Sequence, residues 1–183
     1  MRLRSILVLL FVLLLVGGYF YFTSVPKPLP SEDPRQYVWL VEDVDIQRIE
    51  IQLTKEGKGQ SFVLLPDRTW HFDDPQLSPV DMQRWGGGIP LLLSGPGADR
   101  VIEWDATPEQ LAEFGLAQPR MKIALTLKDE SIIDVDVGDA TPGGTAFYVR
   151  APDTNAVATV DISWYDVISR LVTDPPYAAN EAG

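Results

Sequence analysis

No residue from Ile6 to Phe22 carries a charge, and this run, ILVLLFVLLLVGGYFYF, approaches the roughly 20 apolar residues that span a bilayer core. It constrains the chain more than any other feature, because whatever else folds must do so behind it. Tyr19 and Tyr21 stand where aromatic side chains favour the membrane–water interface. A cleaved secretory signal is the competing reading, with Arg2 and Arg4 as its positive flank. Such signals have apolar cores of about 7–15 residues and end at a small-residue site. This core is longer, no alanine occurs before Ala98, and there is no cysteine for a lipid anchor. The expectation is one uncleaved transmembrane helix within residues 1–23. Arg2 and Arg4 then keep the N-terminus cytoplasmic and place the rest of the chain outside the cell membrane.

Residues 24–36, SVPKPLPSEDPRQ, combine four prolines with charged and polar residues, which predicts an extended linker. The full chain has 26 acidic and 15 basic residues, a net charge of −11. Without Arg2 and Arg4 the external part carries −13, a field that repels phosphate backbones and anionic headgroups. Nucleic acid is therefore excluded as an expected partner. The absence of cysteine leaves stability to the core.

Beyond the linker, YVWLV and DIQRIEIQLT have the β-branched and aromatic content of strands, with Ile49 and Ile51 on one face. KEGKG makes a turn; QSFVLL and TWHF follow as strands around Pro66, Asp67 and Arg68. Ser78 and Pro79 read as the cap and first residue of a helix, with Asp81 in its first turn. Gly86, Gly87, Gly88 and Pro90 should kink or break that helix before it ends near Ser94. DRVIEW reads as another strand.

The segment TPEQLAEFGLAQP, Thr107 to Pro119, is punctuated at both ends. Thr107 is a favoured N-cap, Pro108 suits the first helical position, Gln110 completes a capping box, and Gly115 suits a left-handed C-cap before Pro119. So short a helix is marginal alone, so packing through Leu111, Phe114 and Leu116 must hold it as a clip between larger parts. After it, MKIALTLK and SIIDVDVG form one antiparallel pair, and TAFYVR and AVATV a second. Asp161 caps a closing helix with Trp164, Val167, Ile168 and Leu171 at helical spacing, and with Asp166 and Arg170 able to pair on its wet side. Each half runs strands first and a helix last, which suggests a two-fold internal repeat of β-β-β-α type.

The string EFGLAQPRMKIALTLKDESIIDVDVG, continued by TPGGTAFYVR and AVATVDISWYDVI, resembles bacterial domain of unknown function family 4340. The motifs that carry the resemblance fall on Phe114, Gly115, Leu116, Pro119, Val137, Gly138, Pro142, Gly144, Tyr148 and Val149. The resemblance implies an N-terminal membrane segment and an accessory role beside a membrane transporter of the ATP-binding-cassette type. It supplies no catalytic residues. The Gly86–Gly88 and Pro90 cluster departs from the regular helix expected at that point.

The residues themselves declare no chemistry. Asp134, Asp136 and Asp139 beside Gly138 suggest a calcium loop, but Asp134 and Asp136 alternate with Ile133, Val135 and Val137 as a half-wet strand would. His71 lies between Trp70 and Phe72 with no nucleophile elbow or cysteine to serve, so a structural role is expected. SGPGADR and GDATPGGT lack the lysine and strand–loop–helix order of a phosphate loop and read as turns. Trp39, Trp70, Trp85, Trp104 and Trp164 read as core; an exposed glycan-stacking platform is the alternative.

The expectation is thus an α+β fold of antiparallel hairpins and meanders with a few short helices, spanning residues 37–173 between the linker and a disordered tail, 174–183. No residue is assigned as catalytic, cofactor-binding or metal-ligating, and no cofactor is expected. The predicted function is a non-enzymatic, membrane-anchored accessory or scaffold of a bacterial envelope assembly, with a membrane protein complex as partner. A glycan- or ligand-binding module is the first alternative. An unrecognised hydrolase is the least favoured.

Overall fold

The computed structural model describes residues 13, 14, 16, 36–86 and 88–178. The chain divides into two compact units, Met1–Arg35 and Gln36–Gly183. Among the described residues no helix is long and apolar enough to cross a membrane. The segment expected to do so lies outside them except for Leu13, Leu14 and Val16, which are helical. Residues 24–35 of the expected linker also lie outside.

The second unit is α+β. Its strands are β1 (Ile46–Leu53), β2 (Lys58–Leu64), β3 (Trp70–Phe72), β4 (Arg100–Glu103), β5 (Met121–Leu127), β6 (Ile132–Ala140), β7 (Ala146–Arg150) and β8 (Val157–Asp161). They form one antiparallel sheet in the order β3-β2-β1-β5-β6-β7-β8-β4. Two meanders run outward from the central β1–β5 pair, where Ile51 lies opposite Ile123. The alternation read from the sequence sets the faces. Ile49, Ile51, Leu53, Met121, Ile123, Leu125, Val135, Val137 and Val149 are buried in one core, while Arg48, Glu50, Gln52 and Lys122 occupy the intervening positions.

The helices are α1 (Met82–Trp85), α2 (Ile89–Ser94), α3 (Pro108–Glu113) and α4 (Ile162–Thr173). α4 packs its Trp164, Ile168 and Leu171 into the core, and Trp85 and Leu93 bring α1 and α2 to the same cluster. The expected helix break is present: Gly86 caps α1 in the left-handed region at φ 69°. Its expected start at Ser78 and Pro79 is not. The cap is Asp81, whose side chain accepts from the backbone N–H groups of Gln83 and Arg84. Residues 79 and 80 are held extended instead, Pro79 bridging His71 and Val80 bridging Tyr177. Backbone pairing to both sides there outweighs the local preference for a helix start.

The chain after α4 stays packed as far as Ala178, five residues into the expected tail. Arg84 donates to the carbonyls of Asp174 and Pro175, Asp81 donates its N–H to the Pro176 carbonyl, and Tyr177 stacks on Phe72 with ring centroids 4.0 Å apart. The rest of the tail lies outside the described residues.

α3 carries the full punctuation its sequence predicts. Thr107 and Gln110 form a reciprocal capping box. At the other end Leu116 N–H reaches the Leu111 carbonyl and Gly115 N–H the Ala112 carbonyl, a Schellman closure with Gly115 at φ 73°. Leu116 joins Ala106 and Val157 in a second, smaller core, with Leu111, Phe114 and Tyr148 packed against it. The loop after α3 crosses β6 at close range: the Phe114 carbonyl accepts from Asp139 N–H at 2.9 Å. A Cβ on Gly138 would sit 2.2 Å from that same carbonyl oxygen, and one on Gly115 would sit 2.6–2.8 Å from Asp139 atoms. The clip is a strap fastened to the sheet by backbone contact.

Candidate functional site

α2 is a helix without a charge in a stretch without one, Trp85 to Ala98. No side chain bonds its N-terminus, and in its last turn its own Ser94 hydroxyl donates to the Leu91 carbonyl at 2.9 Å. Two indoles from other elements finish its far end. Trp39 Nε1 donates to the Leu93 carbonyl at 2.8 Å and Trp164 Nε1 to the Leu92 carbonyl at 3.0 Å, the two rings meeting edge to face at 6.1 Å. These bonds satisfy carbonyls that a helix C-terminus leaves orphaned. Leu93 is thereby buried, whereas Leu91 stands 65% exposed.

Other exposed apolar side chains lie along the same stretch. Leu40, 70% exposed, approaches Gly95, and Met82, 57% exposed, shares a cleft with Val44 and Pro90. Leu92 contributes on the other flank. The result is an exposed apolar crest held on a rigid mount, on a chain of strongly acidic composition.

The opposite sheet face is ionic. Residues in direct register, Gln52, Lys122, Asp136 and Arg150, form one row across β1, β5, β6 and β7. Asp136 is buried between Arg150, with which it pairs, and Lys122 at 3.7 Å. On β1 the Arg48 guanidinium holds both Glu50 and Asp73 at 2.6 Å. Opposite charges across strands support the pairing they sit on.

The residues singled out in the sequence are not brought together. Asp134 and Asp136 lie on the strand face, and Asp139 pairs elsewhere, with Lys55 at 3.2 Å and Arg120 at 3.3 Å. No group of three acidic, histidine or cysteine side chains placed for a metal occurs among the described residues. His71 has both ring nitrogens engaged locally, Nδ1 donating to the Leu77 carbonyl at 2.6 Å and Nε2 lying 3.0 Å from the Thr69 hydroxyl. SGPGADR runs beside residues 36–38, its Ala98 N–H on the Gln36 carbonyl, and GDATPGGT turns β6 into β7. Four tryptophans are buried; Trp104 is 72% exposed, which corrects its assignment to the core.

Asp139 supplies a pH test. Hydrogen bonding to Lys55, with the Arg120 charge beside it, holds its carboxyl below the usual aspartate value. A depressed native pKa stabilises the fold above the unfolded value, about 3.9, and that contribution is lost as pH falls through the native one. Asp139→Asn should therefore flatten the fall of the urea midpoint between about pH 5 and pH 3. An unchanged acid limb would mean that the pair contributes nothing.

With this geometry in hand, the comparisons with known proteins add one match. Residues 97–170, from the approach to β4 through most of α4, match the family model described as "Domain of unknown function (DUF4340)". The resemblance carried by Gly115, Gly138 and Tyr148 is thus matched over that span. No curated protein and no solved structure matches the chain.

Proposed function

We propose, for a chain whose residues 97–170 match that family, a non-enzymatic accessory or scaffold role in a bacterial envelope assembly, anchored by an N-terminal membrane helix. The observation that carries this reading is the charge-free α2 with Leu91 exposed, held by two buried indoles, together with the exposed Leu40 near Gly95 and Met82 near Pro90. A rigid apolar surface at the centre of a polar rim is how docking patches are built. The apolar run Ile6–Phe22 and the proline-rich residues 24–36 would tether that surface to a bilayer, raising its effective concentration for a membrane-held neighbour. An integral-membrane complex, such as a transporter of the ATP-binding-cassette type, is the partner this arrangement suits. The two meanders that meet at β1–β5, each leading to a helix, support an internal two-fold repeat as the origin of the sheet.

The test uses the full chain in native membranes with a photo-crosslinking residue at position 91. It should trap an integral-membrane protein, and the same group at position 130, in the β5–β6 turn, should not. Leu91→Glu should lower co-purification of that protein at least about tenfold while leaving the fold intact, because the side chain is largely in water. Release of the intact protein alone in mild detergent after crosslinking would overturn the reading. Binding of envelope glycan through Trp104 would then favour the binding-module alternative.

A further inference from the structure

The flank of α2 away from Met82 opens into a cleft of about 390 Å³ between α1–α2 and the second half of α4. Its size lies in the range of small-molecule sites. Ile89, Leu92, Val167 and Leu171 give it apolar walls, and Arg84 and Arg170 stand at its edge. The two arginines differ. Arg84 is committed to the segment after α4: its guanidinium pairs with the Asp174 carboxylate at 2.7 Å as well as with two backbone carbonyls. Arg170 makes no ion pair among the described residues, and the expected partner one turn earlier, Asp166, does not reach it. Trp85, which lines both this cleft and the one beside Met82, carries a second group without a partner: it is 1% exposed, and its Nε1–H finds no acceptor among the described residues. A buried orphan donor costs enough that native structures rarely keep one without an occupant or a water to meet it.

We propose that this cleft binds a small anionic amphiphile, its apolar body against Leu92, Val167 and Leu171 and its carboxylate or phosphate head on Arg170. The charge pattern selects the sign. The Asp174 carboxylate in the lining is paired with Arg84, so Arg170, without an ion pair among the described residues, is the charge left beside the apolar walls; it favours an anion, and Arg suits carboxylate and phosphate equally. The site shares Leu92 with the crest but not Leu91, which does not line the cleft, so substitution at position 91 separates the two readings.

The test reads the full chain, reconstituted in zwitterionic nanodiscs with 5-fluorotryptophan at all five positions, by fluorine NMR, with protein-free nanodiscs correcting for partition into lipid. Octanoate or octyl phosphate should shift the Trp85 resonance saturably and leave Trp104 unmoved, the better of the two identifying the head group. Octyltrimethylammonium should leave Trp85 where it is. Arg170→Glu and, separately, Leu92→Asn should raise the midpoint at least about tenfold; both side chains are accessible enough for the fold to tolerate the change. Leu91→Glu should leave the titration unchanged even where it abolishes partner capture, so the two proposals fail separately. Absence of a saturable Trp85 shift, equal response to the cationic amphiphile, or an unaltered Arg170→Glu midpoint would each overturn the assignment.

Discussion

Trp85→Ala is expected to lower unfolding free energy by about 3–5 kcal/mol, read as a shift in the urea midpoint at unchanged slope. The indole is among the largest fully buried side chains and bridges two layers of the core. Its ring lies 4.8 Å from Phe62 and 5.5 Å from Trp70, so truncation empties the space between α1 and the β2–β3 hairpin. The phenylalanine variant separates two contributions. Trp85→Phe keeps most of the ring and removes an N–H that has no partner among the described residues, so its cost should stay below about 1.5 kcal/mol. Equal losses for the two variants would mean that the indole N–H is paired in solution and is no orphan donor.

Gly138→Ala should cost about 3 kcal/mol or more, at the upper end of what overpacking produces. The cause is proximity rather than dihedral freedom. The added methyl would meet the Phe114 carbonyl oxygen at 2.2 Å and Leu116 side-chain carbons at 3.1–3.2 Å. The backbone oxygen cannot rotate away without breaking its bond to Asp139 N–H. Gly97→Ala, where a Cβ meets nothing within 4 Å, is the matched control and should change stability by no more than about 0.5 kcal/mol. If Gly138→Ala melts with the parent, the strap does not lie on β6.

The clip was legible because its signals are local: Thr107 and Gln110 cap each other's backbone, and Gly115 N–H returns to the Ala112 carbonyl, each bond spanning three residues. The hairpins were legible for the same reason, through short polar turns between alternating runs. What the clip fastens to was hidden. Gly138 reads as an ordinary strand-end glycine until Phe114 is laid across it. The pairing of β4 with β8 likewise joins residues with no local mark of each other. In α2 the failure has another physical source. The helix break at Gly86 could be read, but Ile89 to Leu93 are all apolar, so no periodicity tells buried Leu93 from exposed Leu91. Core packing of Ile89 and Leu93 and the indoles of Trp39 and Trp164 fix that rotation. The reverse error befell Ser78 and Pro79, where good helix-start chemistry lost to bridges made by His71 and Tyr177.

The strand order also dictates a sequence of events in time. β1 emerges early from synthesis, and its β2 edge is satisfied at once by a local hairpin, but its other edge waits for β5. Setting Ile51 against Ile123 closes a loop of about 70 residues, an entropic toll that the nearest-neighbour hairpins do not share. Until then β1 offers an open, isoleucine-rich edge, the kind that templates association between chains. β4 is in the same position, made before the β8 it needs. The slow and aggregation-exposed phase of folding should therefore end when the second meander arrives and docks on the first. A chain cut short before β5 would be left with its central strand as a sticky margin.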